Sequence, residues 1–384
     1  MILYQNAIGP TPDILKPAEA DLLRQTSGAE VIWCGRGATA LCWAYEAARR
    51  LRTVGAPAEI IMPAICCSVP ANAALSVGIQ PRFADCDPET GMVTVESVAA
   101  CYTPSTCAVV FVHLFGQTAD LEPLADWCHG KGVVLIEDAA QAQGAVLPDG
   151  QPVGSVGACC VYSFNESKIL ECGGGALLVQ DAPLWEAVRE TAQTGLLRAE
   201  LSPAEAAIHE YSYRNTLNGL VGLCRQHPES IRAISEGFLH FRGLYDGLYR
   251  CSLQDPGALA QAWGQLPGIL QRRKEKAEIY AERLDGGPWR LLNGWRQSGV
   301  CFRYSLLVDF PQRLVAFSDS IRRTGFHVSN LYWPVNQLVK PDDDCPRADA
   351  LARAVVNLWV DDSVDAAWTG RCADALWEST DLLS

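Results

Sequence analysis

Short apolar segments alternate with helical segments along the first half of the chain. The apolar segments are rich in β-branched residues and bounded by Gly, Pro or Asp, which is typical of strands buried on both faces of a mostly parallel sheet. The predicted strands cover residues 30–34, 59–62, 80–84, 108–113, 133–137, 158–163 and 176–179. The predicted helices between them cover residues 38–51, 69–77, 121–131 and 182–193. This alternation predicts an α/β fold with three layers, in which a sheet lies between helices.

The pattern changes near residue 200. Ser202 followed by Pro203 predicts the start of a helix, with the serine as N-cap and the proline in the first turn. The later predictions are helices over 235–250, 258–284, 311–324 and 363–378, and a strand over 301–310. We therefore expect a large domain over residues 1–245 and a smaller C-terminal α+β domain over residues 246–384.

Composition and charge narrow the class of protein. The 384 residues are 49% hydrophobic and 20% charged, which is typical of a globular protein. No apolar run approaches the ~20 residues of a membrane helix, and the first residues carry no signal-peptide pattern. The net charge of −13 disfavours nucleic acid as a partner. We expect a cytoplasmic protein that binds neither nucleic acid nor membrane.

The chain contains 16 cysteines. In a cytoplasmic protein they are expected to be reduced and to pack as small apolar side chains. The adjacent pairs Cys66–Cys67 and Cys159–Cys160 are poorly spaced for zinc, and no histidine cluster accompanies them. The sequence therefore predicts no metal site.

The segment GRGATA (35–40) follows a predicted strand and begins a predicted helix. It matches the glycine pattern of dinucleotide-binding proteins, which also requires an acidic residue at the end of the next strand. Glu59 lies at the start of that strand instead, which argues against a nicotinamide-dependent dehydrogenase. Two interpretations remain: a phosphate site at the helix N-terminus, or a tight turn in which small residues pack closely.

Polar residues follow two of the predicted strands. Asp138 lies just after a buried strand, where it can bind a metal, act as a base, pair with a cationic ring nitrogen or cap the next helix. Gln141 lies on the same face as Asp138 if a helical turn begins at Asp138, because the two residues are three positions apart. Lys168 lies in a polar loop between Ser163 and the glycines at 173–175.

Together these residues form a pattern that pyridoxal phosphate enzymes require. A lysine forms the Schiff base with the cofactor, and an acid holds the proton on the pyridine nitrogen. A hydroxyl and the N–H groups of a helix N-terminus bind the phosphate. Lys168, Asp138 and Ser163 supply these groups in the sequence.

Six segments resemble, in their order, the DegT/DnrJ/StrS family of sugar aminotransferases, which are fold-type I pyridoxal phosphate enzymes. They are GRGATAL (35–41), IIMPAICC (60–67), FVHLFGQTADL (111–121), IEDAAQAQGA (136–145), VYSFNESK (161–168) and GGGALLVQD (173–181). EYSYRN (210–215) resembles the family's Tyr-Asn-Tyr-Arg segment, and 258–284 resembles its small-domain helix. The resemblance covers residues 30–330 and implies a homodimer whose subunits share their active sites.

The resemblance assigns roles by position. It gives Lys168 the position of the catalytic, cofactor-linked lysine and Asp138 that of the partner of the pyridine nitrogen. Gln141 takes a position that contacts the pyridoxal ring or its phenolic oxygen, and Ser163 matches a phosphate-binding serine. Cys67 takes the place of an aromatic residue that stacks on the cofactor ring.

Further positions of the family's site are matched less closely. Gly37, Ala38 and Thr39 match its phosphate-binding Gly-Thr turn, with either Ala38 or Thr39 in the place of the threonine. Ser212, which replaces an asparagine, and Arg214 match residues that reach the neighbouring subunit's phosphate.

Other departures concern the substrate side. Arg303 lies near a histidine that faces substrate in the family, and Gln143 replaces a histidine of the motif around Asp138. An arginine at position 303 either binds an anionic group of a substrate or is a surface residue at a strand edge. Residues 222–256 are extra sequence relative to the family.

The resemblance implies an aminotransferase with two small-molecule substrates. The amino donor is glutamate or glutamine, and the acceptor is a keto group on a nucleotide-linked sugar or a related cyclitol. A second hypothesis is another pyridoxal phosphate reaction, such as elimination or cyclisation, and a third is a catalytically silent regulatory homologue. The presence of both Lys168 and Asp138 argues against the third.

Overall fold

The computed structural model describes residues 29–52, 57–194, 201–250, 255–292, 294–330 and 332–383. Two sheets organise these residues, one of seven strands and one of four. The first half of the chain builds the larger sheet, as the alternation of apolar segments predicts, and the second half builds the smaller sheet.

Mostly parallel strands form the larger sheet. Its strands are β1 (Glu30–Cys34), β2 (Glu59–Pro63), β3 (Gln80–Ala84), β4 (Thr106–Val112), β5 (Val134–Asp138), β6 (Cys159–Ser163) and β7 (Gly175–Val179). Their order is β1-β7-β6-β5-β4-β2-β3. Neighbours from β3 to β6 are parallel, and β7 runs antiparallel to both β1 and β6. Strands β4, β6 and β7 are buried along their whole length, which explains their continuous apolar sequences.

Helices from the first half of the chain pack around this sheet. They are α1 (Gly37–Leu51), α2 (Val69–Ser76), α3 (Val95–Cys101), α4 (Glu122–Lys131) and α5 (Ala182–Gln193). Helix α1 is buried from Gly37 to Ala48 and packs against α5 and strands β6 and β7. The sequence pattern does not predict α3, because Val98 alone of its residues is buried.

A helical segment follows the larger sheet. It contains α6 (Pro203–Gln226), α7 (Ile231–Phe241) and α8 (Pro256–Arg283). Ser202 caps α6 as predicted, in a reciprocal capping box with Glu205. The predicted helix over 235–250 is wrong in its second half, because α7 ends at Phe241 and 3₁₀ turns follow over 242–248. Two glycines in that stretch disfavour a regular α-helix.

The smaller sheet is built from elements that follow α8. The elements after α8 are β8 (Trp289–Leu291), β9 (Tyr304–Val308), α9 (Leu314–Arg323), β10 (Val328–Ser329), α10 (Val335–Val339), α11 (Pro346–Ala354), β11 (Val355–Leu358) and α12 (Ala366–Glu378). The four strands are antiparallel throughout, in the order β10-β11-β9-β8. Tyr280 of α8, Tyr304 and Phe317 lie in a separate apolar core beside this sheet. The division of the chain at residues 245 and 246 stays a prediction.

The structure also bears on the predictions made for the cysteines and for membrane-spanning segments. Most cysteines in the described ranges are buried, as expected for small apolar side chains, and Cys67 is exposed. No helix among the described residues is long and apolar enough to cross a membrane.

Candidate active site

A cavity of ≈ 230 Å³ lies where strands β5 and β6 end beside the N-terminus of α1. The carboxyl ends of parallel strands meet at the same edge of a sheet, so residues distant in sequence come together there. The sequence-predicted site residues on its wall are Gly37, Ala38, Cys67, Asp138, Ser163, Lys168 and Arg214.

The first turn of α1 and the end of β6 form one side of the cavity. The N-cap of α1 is Arg36, whose side chain makes no capping hydrogen bond, so the first N–H groups of the helix receive no partner from it. Gly37 packs so closely on β6 that a Cβ at position 37 would lie 2.7 Å from the Cβ of Ser163. The N–H groups, the positive end of the helix dipole and the serine hydroxyl suit a phosphate group.

Asp138 is buried at the carboxyl end of β5. One of its carboxylate oxygens accepts a hydrogen bond from the Ala140 N–H at 3.0 Å. No cationic side chain of the described ranges forms an ion pair with it. Burial raises the pKa of Asp138, and the Ala140 bond and the charge of Lys168 oppose this shift. A buried carboxylate that has no cationic partner suits a ligand that brings a positive charge, such as a protonated pyridine nitrogen.

Lys168 follows a sharp turn in the loop after β6. Ser167 has a φ of +69°, in the left-handed region, and its N–H donates to the Glu171 carboxylate at 2.7 Å. The Lys168 Nζ lies 5.8 Å from the centre of the Phe302 ring and forms no ion pair with any described residue. The amine is therefore free to form a covalent bond with a carbonyl carbon.

Two arginines on the cavity wall pair with one glutamate. Arg36 makes two hydrogen bonds of 3.3 Å to Glu210. Arg214 donates to Glu210 at 2.7 Å and lies 3.5 Å from Glu166. Burial would lower the pKa of Arg36, but Tyr245 and Glu210 outweigh it and raise that pKa. Arg36 and Glu210 were not predicted as site residues from the sequence. Arg36 could have been found, because it is a basic residue between two glycines at a helix N-terminus, where anions bind.

Helix α6 presents Tyr213 to the cavity instead of its neighbour Ser212. The Tyr213 hydroxyl shares a hydrogen bond with the Ser68 hydroxyl at 2.7 Å and accepts one from the Asn72 side chain at 2.6 Å. Ser212 is half-buried and does not line the cavity. Adjacent residues of an α-helix point about 100° apart, so the two side chains cannot share one direction.

Thr39 and Gln141 do not line the cavity either. The Thr39 hydroxyl accepts a hydrogen bond from the Arg250 N–H at 3.0 Å. The Gln141 side chain accepts one from the Phe115 N–H at 2.8 Å and donates to the Tyr332 hydroxyl at 2.7 Å. Phe115 has a φ of +58°, so Gln141 stabilises a strained turn. Both side chains therefore have partners within the protein rather than a place on the cavity wall.

Cys67 lines the cavity and also a neighbouring pocket of ≈ 210 Å³. That pocket extends to Tyr332 and Trp333. Desolvation of the Cys67 thiol by the surrounding protein raises its pKa, and the charge of Lys168 opposes this shift. A neutral thiol contributes neither a charge nor an aromatic ring to this part of the wall.

A second cleft, of ≈ 520 Å³, shares Lys168 with the cavity, and we call it the outer cleft. Its charged wall residues include Lys168, Arg214, Arg273, Arg303 and Asp361. Arg303 is 8% exposed, so it is a cleft residue and not a surface arginine. It donates to the Asp361 carboxylate at 2.9 Å and lies 4.9 and 4.7 Å from the Phe302 and Trp359 ring centres.

The side chains on the cavity wall fit pyridoxal phosphate. The free amine of Lys168 suits its aldehyde, and the unpaired carboxylate of Asp138 suits its ring nitrogen. The first turn of α1 suits its phosphate.

Comparison with known proteins agrees with this fit. The sequence profile of the DegT/DnrJ/EryC1/StrS aminotransferase family matches residues 16–223. An L-glutamine:2-deoxy-scyllo-inosose aminotransferase of Streptomyces kanamyceticus is 36% identical over 303 residues, which are 78% of this chain and 64% of that protein. A dTDP-4-dehydro-2,3,6-trideoxy-D-glucose 4-aminotransferase of Saccharopolyspora spinosa is 33% identical over 350 residues, which are 90% of this chain and 83% of that protein. The chain thus spans less than two thirds of the first relative and most of the second.

A solved structure has the same architecture. Helicobacter pylori PseC, an aminotransferase involved in the biosynthesis of pseudoaminic acid, matches with a TM-score of 0.73 at 16% identity. The match covers 95% of this chain and 90% of PseC. It confirms the predicted fold class.

Proposed function

Because the chain belongs to the DegT/DnrJ/EryC1/StrS aminotransferase family, we propose that it transfers an amino group from glutamate or glutamine to a keto sugar or cyclitol. Family membership confirms the predicted cofactor, pyridoxal phosphate. One observation carries the proposal: Lys168, Asp138 and the first turn of α1 line the same cavity.

The names of two relatives support the substrate class. One relative is named for glutamine and an inosose, and the other for a dTDP-linked dehydro sugar. We propose a keto acceptor of one of these two kinds, with glutamate or glutamine as the donor.

Each group of cavity residues has a different role in the proposed reaction. The first turn of α1, Arg36 and Ser163 would hold the phosphate of the cofactor, and Lys168 would hold its aldehyde carbon. The bound cofactor supplies an electron sink for the negative charge that develops on the reacting carbon. The Asp138 carboxylate would hold the proton on the ring nitrogen. The Lys168 Nζ would act as the base that moves a proton from the amino-bearing carbon of the donor to the aldehyde carbon of the cofactor, and in the reverse direction when the acceptor is aminated.

We also propose that the enzyme is a cytoplasmic homodimer. Ile208 and Tyr211 on α6 are 64% and 72% exposed, which suits burial against a second subunit. Arg214 lies on the same helix, three residues after Tyr211. Most cysteines of the described ranges are buried as small apolar side chains, which suits a compartment where thiols stay reduced.

Absorbance spectroscopy with an isotope tracer tests the enzymatic proposal. Pyridoxal phosphate added to the purified protein should produce a visible band that is missing in Lys168→Ala. Glutamate or glutamine should remove the band, and a keto cyclitol or dehydro sugar should restore it. Labelled nitrogen from the donor should then appear in the product, as measured by mass spectrometry.

Two results would favour the other hypotheses. Conversion of a substrate without transfer of the labelled nitrogen would indicate elimination or cyclisation. A protein that binds no cofactor would indicate a regulatory homologue.

A further inference from the structure

The segment that follows α7 forms part of the wall of the cofactor cavity. Its 3₁₀ turns over residues 242–248 place Tyr245 and Leu248 on that wall. The family profile matches residues 16–223, so this segment lies outside it. A role for Tyr245 therefore depends on its contacts within this chain.

Hydrogen bonds to Arg250 hold the end of this segment beside the first turn of α1. The Gly35 N–H donates to the Arg250 carbonyl at 2.9 Å, and the Arg250 N–H donates to the Thr39 hydroxyl at 3.0 Å. Gly35 precedes α1, and Thr39 lies in its first turn, the turn that suits a phosphate. The segment is therefore fixed at the phosphate end of the cavity.

Neighbouring aromatic rings hold the ring of Tyr245 in place. Tyr245 is 6% exposed. Its ring centre lies 4.9 Å from that of Tyr213 and 5.7 Å from that of Tyr249, and both pairs are edge-to-face. This packing restricts the direction in which the hydroxyl of Tyr245 can point.

The Tyr245 hydroxyl makes no hydrogen bond to any described residue. In the same part of the chain Tyr45 and Tyr304 also carry unbonded hydroxyls, but these are sealed from solvent and neither residue lines the cavity. Burial raises the pKa of Tyr245, and the charge of Arg36 opposes that shift. The hydroxyl is therefore neutral near pH 7 and able to donate a hydrogen bond close to Arg36. Because buried hydroxyls usually have a partner, an unbonded one on a cavity wall points to a ligand.

We propose that the Tyr245 hydroxyl donates a hydrogen bond to the phosphate of the cofactor, which makes Tyr245 a binding residue from a segment outside the family profile. The proposal rests on the cofactor of the function proposed above and not on the amino transfer. The ring nitrogen and the aldehyde are assigned to Asp138 and Lys168, so the phosphate is the part that lies beside α1. Its three oxygens are strong acceptors, with room for a donor besides Arg36, Ser163 and the N–H groups of α1.

Titration of the cofactor-free protein with pyridoxal phosphate, followed by absorbance, tests the proposal. Tyr245→Phe keeps the ring and removes the hydroxyl, so it should weaken binding about 10- to 100-fold through loss of a hydrogen bond to a charged group. Binding of pyridoxal, which lacks the phosphate, should change less than about threefold. The free energy of unfolding of the cofactor-free variant, measured in urea, should not fall, because the hydroxyl makes no bond in the described structure.

Tyr249→Phe is the matched control. It removes a hydroxyl from the same segment, but that hydroxyl is bonded to the Ser76 hydroxyl at 3.0 Å, and Tyr249 does not line the cavity. It should leave the binding of both compounds within about threefold of wild type. Phosphorus NMR of the bound cofactor is the second measurement: the phosphate resonance should shift in Tyr245→Phe and stay in place in Tyr249→Phe.

Equal binding of pyridoxal phosphate by Tyr245→Phe and wild type would overturn the proposal, as would an unshifted phosphate resonance in this variant. Equal weakening of pyridoxal phosphate and pyridoxal would also overturn it, because the hydroxyl would then act on the ring or on the shape of the cavity. If pyridoxal binds too weakly to measure, the phosphate resonance decides. Wild-type protein that binds no pyridoxal phosphate overturns both this proposal and the proposed function.

The other outcomes separate the two proposals. A protein that binds the cofactor phosphate through Tyr245 but transfers no amino group would keep this contact and lose the proposed function. A protein that transfers amino groups, and whose Tyr245→Phe variant binds the cofactor as the wild type does, would keep the function and lose this inference.

Discussion

Two side chains on the cavity wall lack the partners that charged groups in a folded protein usually have. Within the described ranges, the Lys168 amine forms no ion pair, and the Asp138 carboxylate accepts a single backbone hydrogen bond. Burying a carboxylate without a cation costs free energy. Such groups are expected where a ligand completes the site, so both residues are the first to test.

Lys168→Ala is expected to abolish amino transfer and the visible band of the bound cofactor. Because the side chain forms no ion pair in the described structure, the free energy of unfolding should change by only about 0.5 kcal/mol. Turnover assays, absorbance spectra and urea unfolding measure these effects. Lys131→Ala, an exposed change on α4, is the control. A turnover rate close to wild type in Lys168→Ala would refute the mechanism.

Asp138→Asn is expected to bind the cofactor but to lower the rate about 100-fold or more, because an amide cannot hold the ring-nitrogen proton. The change should also stabilise the cofactor-free protein at neutral pH. Burial raises the pKa of Asp138, so the folded state binds its proton more tightly than the unfolded chain, whose pKa is near 3.8. The stability of the wild type therefore falls as the pH rises from the pKa of the unfolded chain to the higher pKa of the folded state. The asparagine variant should not show that loss.

Urea unfolding of cofactor-free protein over a pH series, with kinetics at neutral pH, measures both effects. A variant with a near-normal rate and an unchanged pH dependence would mean that Asp138 only supports the turn at Ala140.

At the scale of elements, strand β5 points consecutive carboxylates to opposite faces of the sheet. Asp138 faces the cavity, whereas Glu137 is fully buried on the other face. The Glu137 carboxylate accepts hydrogen bonds from His113 at 3.0 Å and from the N–H groups of Gly154 and Gly157 at 2.9 and 2.7 Å. These bonds join the 154–157 loop to the strand that carries Asp138.

Glu137→Gln is expected to destabilise the fold by about 3–5 kcal/mol at neutral pH, because it removes the charge of a buried carboxylate whose oxygens accept hydrogen bonds from His113 and from backbone N–H groups. Burial raises the pKa of Glu137, but His113 and the backbone donors outweigh it and lower that pKa. Its stabilising contribution is therefore present above the unfolded pKa of about 4.5 and lost as pH falls through the folded pKa. Unfolding measured at several pH values should show the difference between variant and wild type shrinking in acid.

The exposed Glu122→Gln on α4 is the control for this change and should have little effect at any pH. A constant difference between Glu137→Gln and wild type across the acid range would contradict the assignment.

The close approach of α1 to β6 leads to a prediction for Gly37. In Gly37→Ala the new Cβ would lie 2.7 Å from the Cβ of Ser163, so helix and strand must move apart. We expect a loss of about 1–3 kcal/mol in stability and weaker cofactor binding. Fluorescence-monitored unfolding and a cofactor titration measure the two effects.

Gly219→Ala is the matched control. It lies in α6, and a Cβ there meets no atom within 4 Å. It should stabilise the protein by about 0.5–1 kcal/mol, because alanine favours the helix. Equal effects of the two changes would mean that the α1–β6 contact is not tight.

At the scale of the whole molecule, the question is which subunit's site Arg214 serves. In the single chain Arg214 lies on its own cavity wall and pairs with Glu210 and Glu166. It is also half-exposed on a helix whose outer face carries Ile208 and Tyr211. The family resemblance predicts that it reaches the neighbouring subunit, and an exposed arginine can re-pair when a dimer forms.

Mixing Arg214→Ala with Lys168→Ala subunits distinguishes the two arrangements. If Arg214 serves the neighbouring site, one site of the mixed dimer carries both changes and the other carries neither, so activity should return to about half of wild type per mixed dimer. Activity of tagged, purified mixed dimers measures this. If both parents are inactive and a verified mixed dimer is equally inactive, Arg214 acts in the site of its own subunit.

Local sequence predicted most of the elements and the chemistry-bearing residues. The bounds of β1, β3 and α5 match their predictions, because apolar runs and capping residues act over a few positions. Asp138, Ser163 and Lys168 were predictable because polar residues at strand ends of a parallel sheet meet at one edge. Pyridoxal phosphate as the cofactor followed from those residues and the family resemblance.

Tertiary structure decided which partner each side chain meets. Thr39 bonds to Arg250, 211 positions away, and Arg36 to Glu210, 174 positions away. A local pattern sets the face of a helix or strand on which a residue lies, but the chain that packs opposite that face comes from a distant segment. For this reason the sequence predicted the type and approximate place of the ionisable groups that line the cavity. Only the fold separated the residues that line the cavity from neighbours such as Thr39 and Gln141, whose side chains bond elsewhere in the protein.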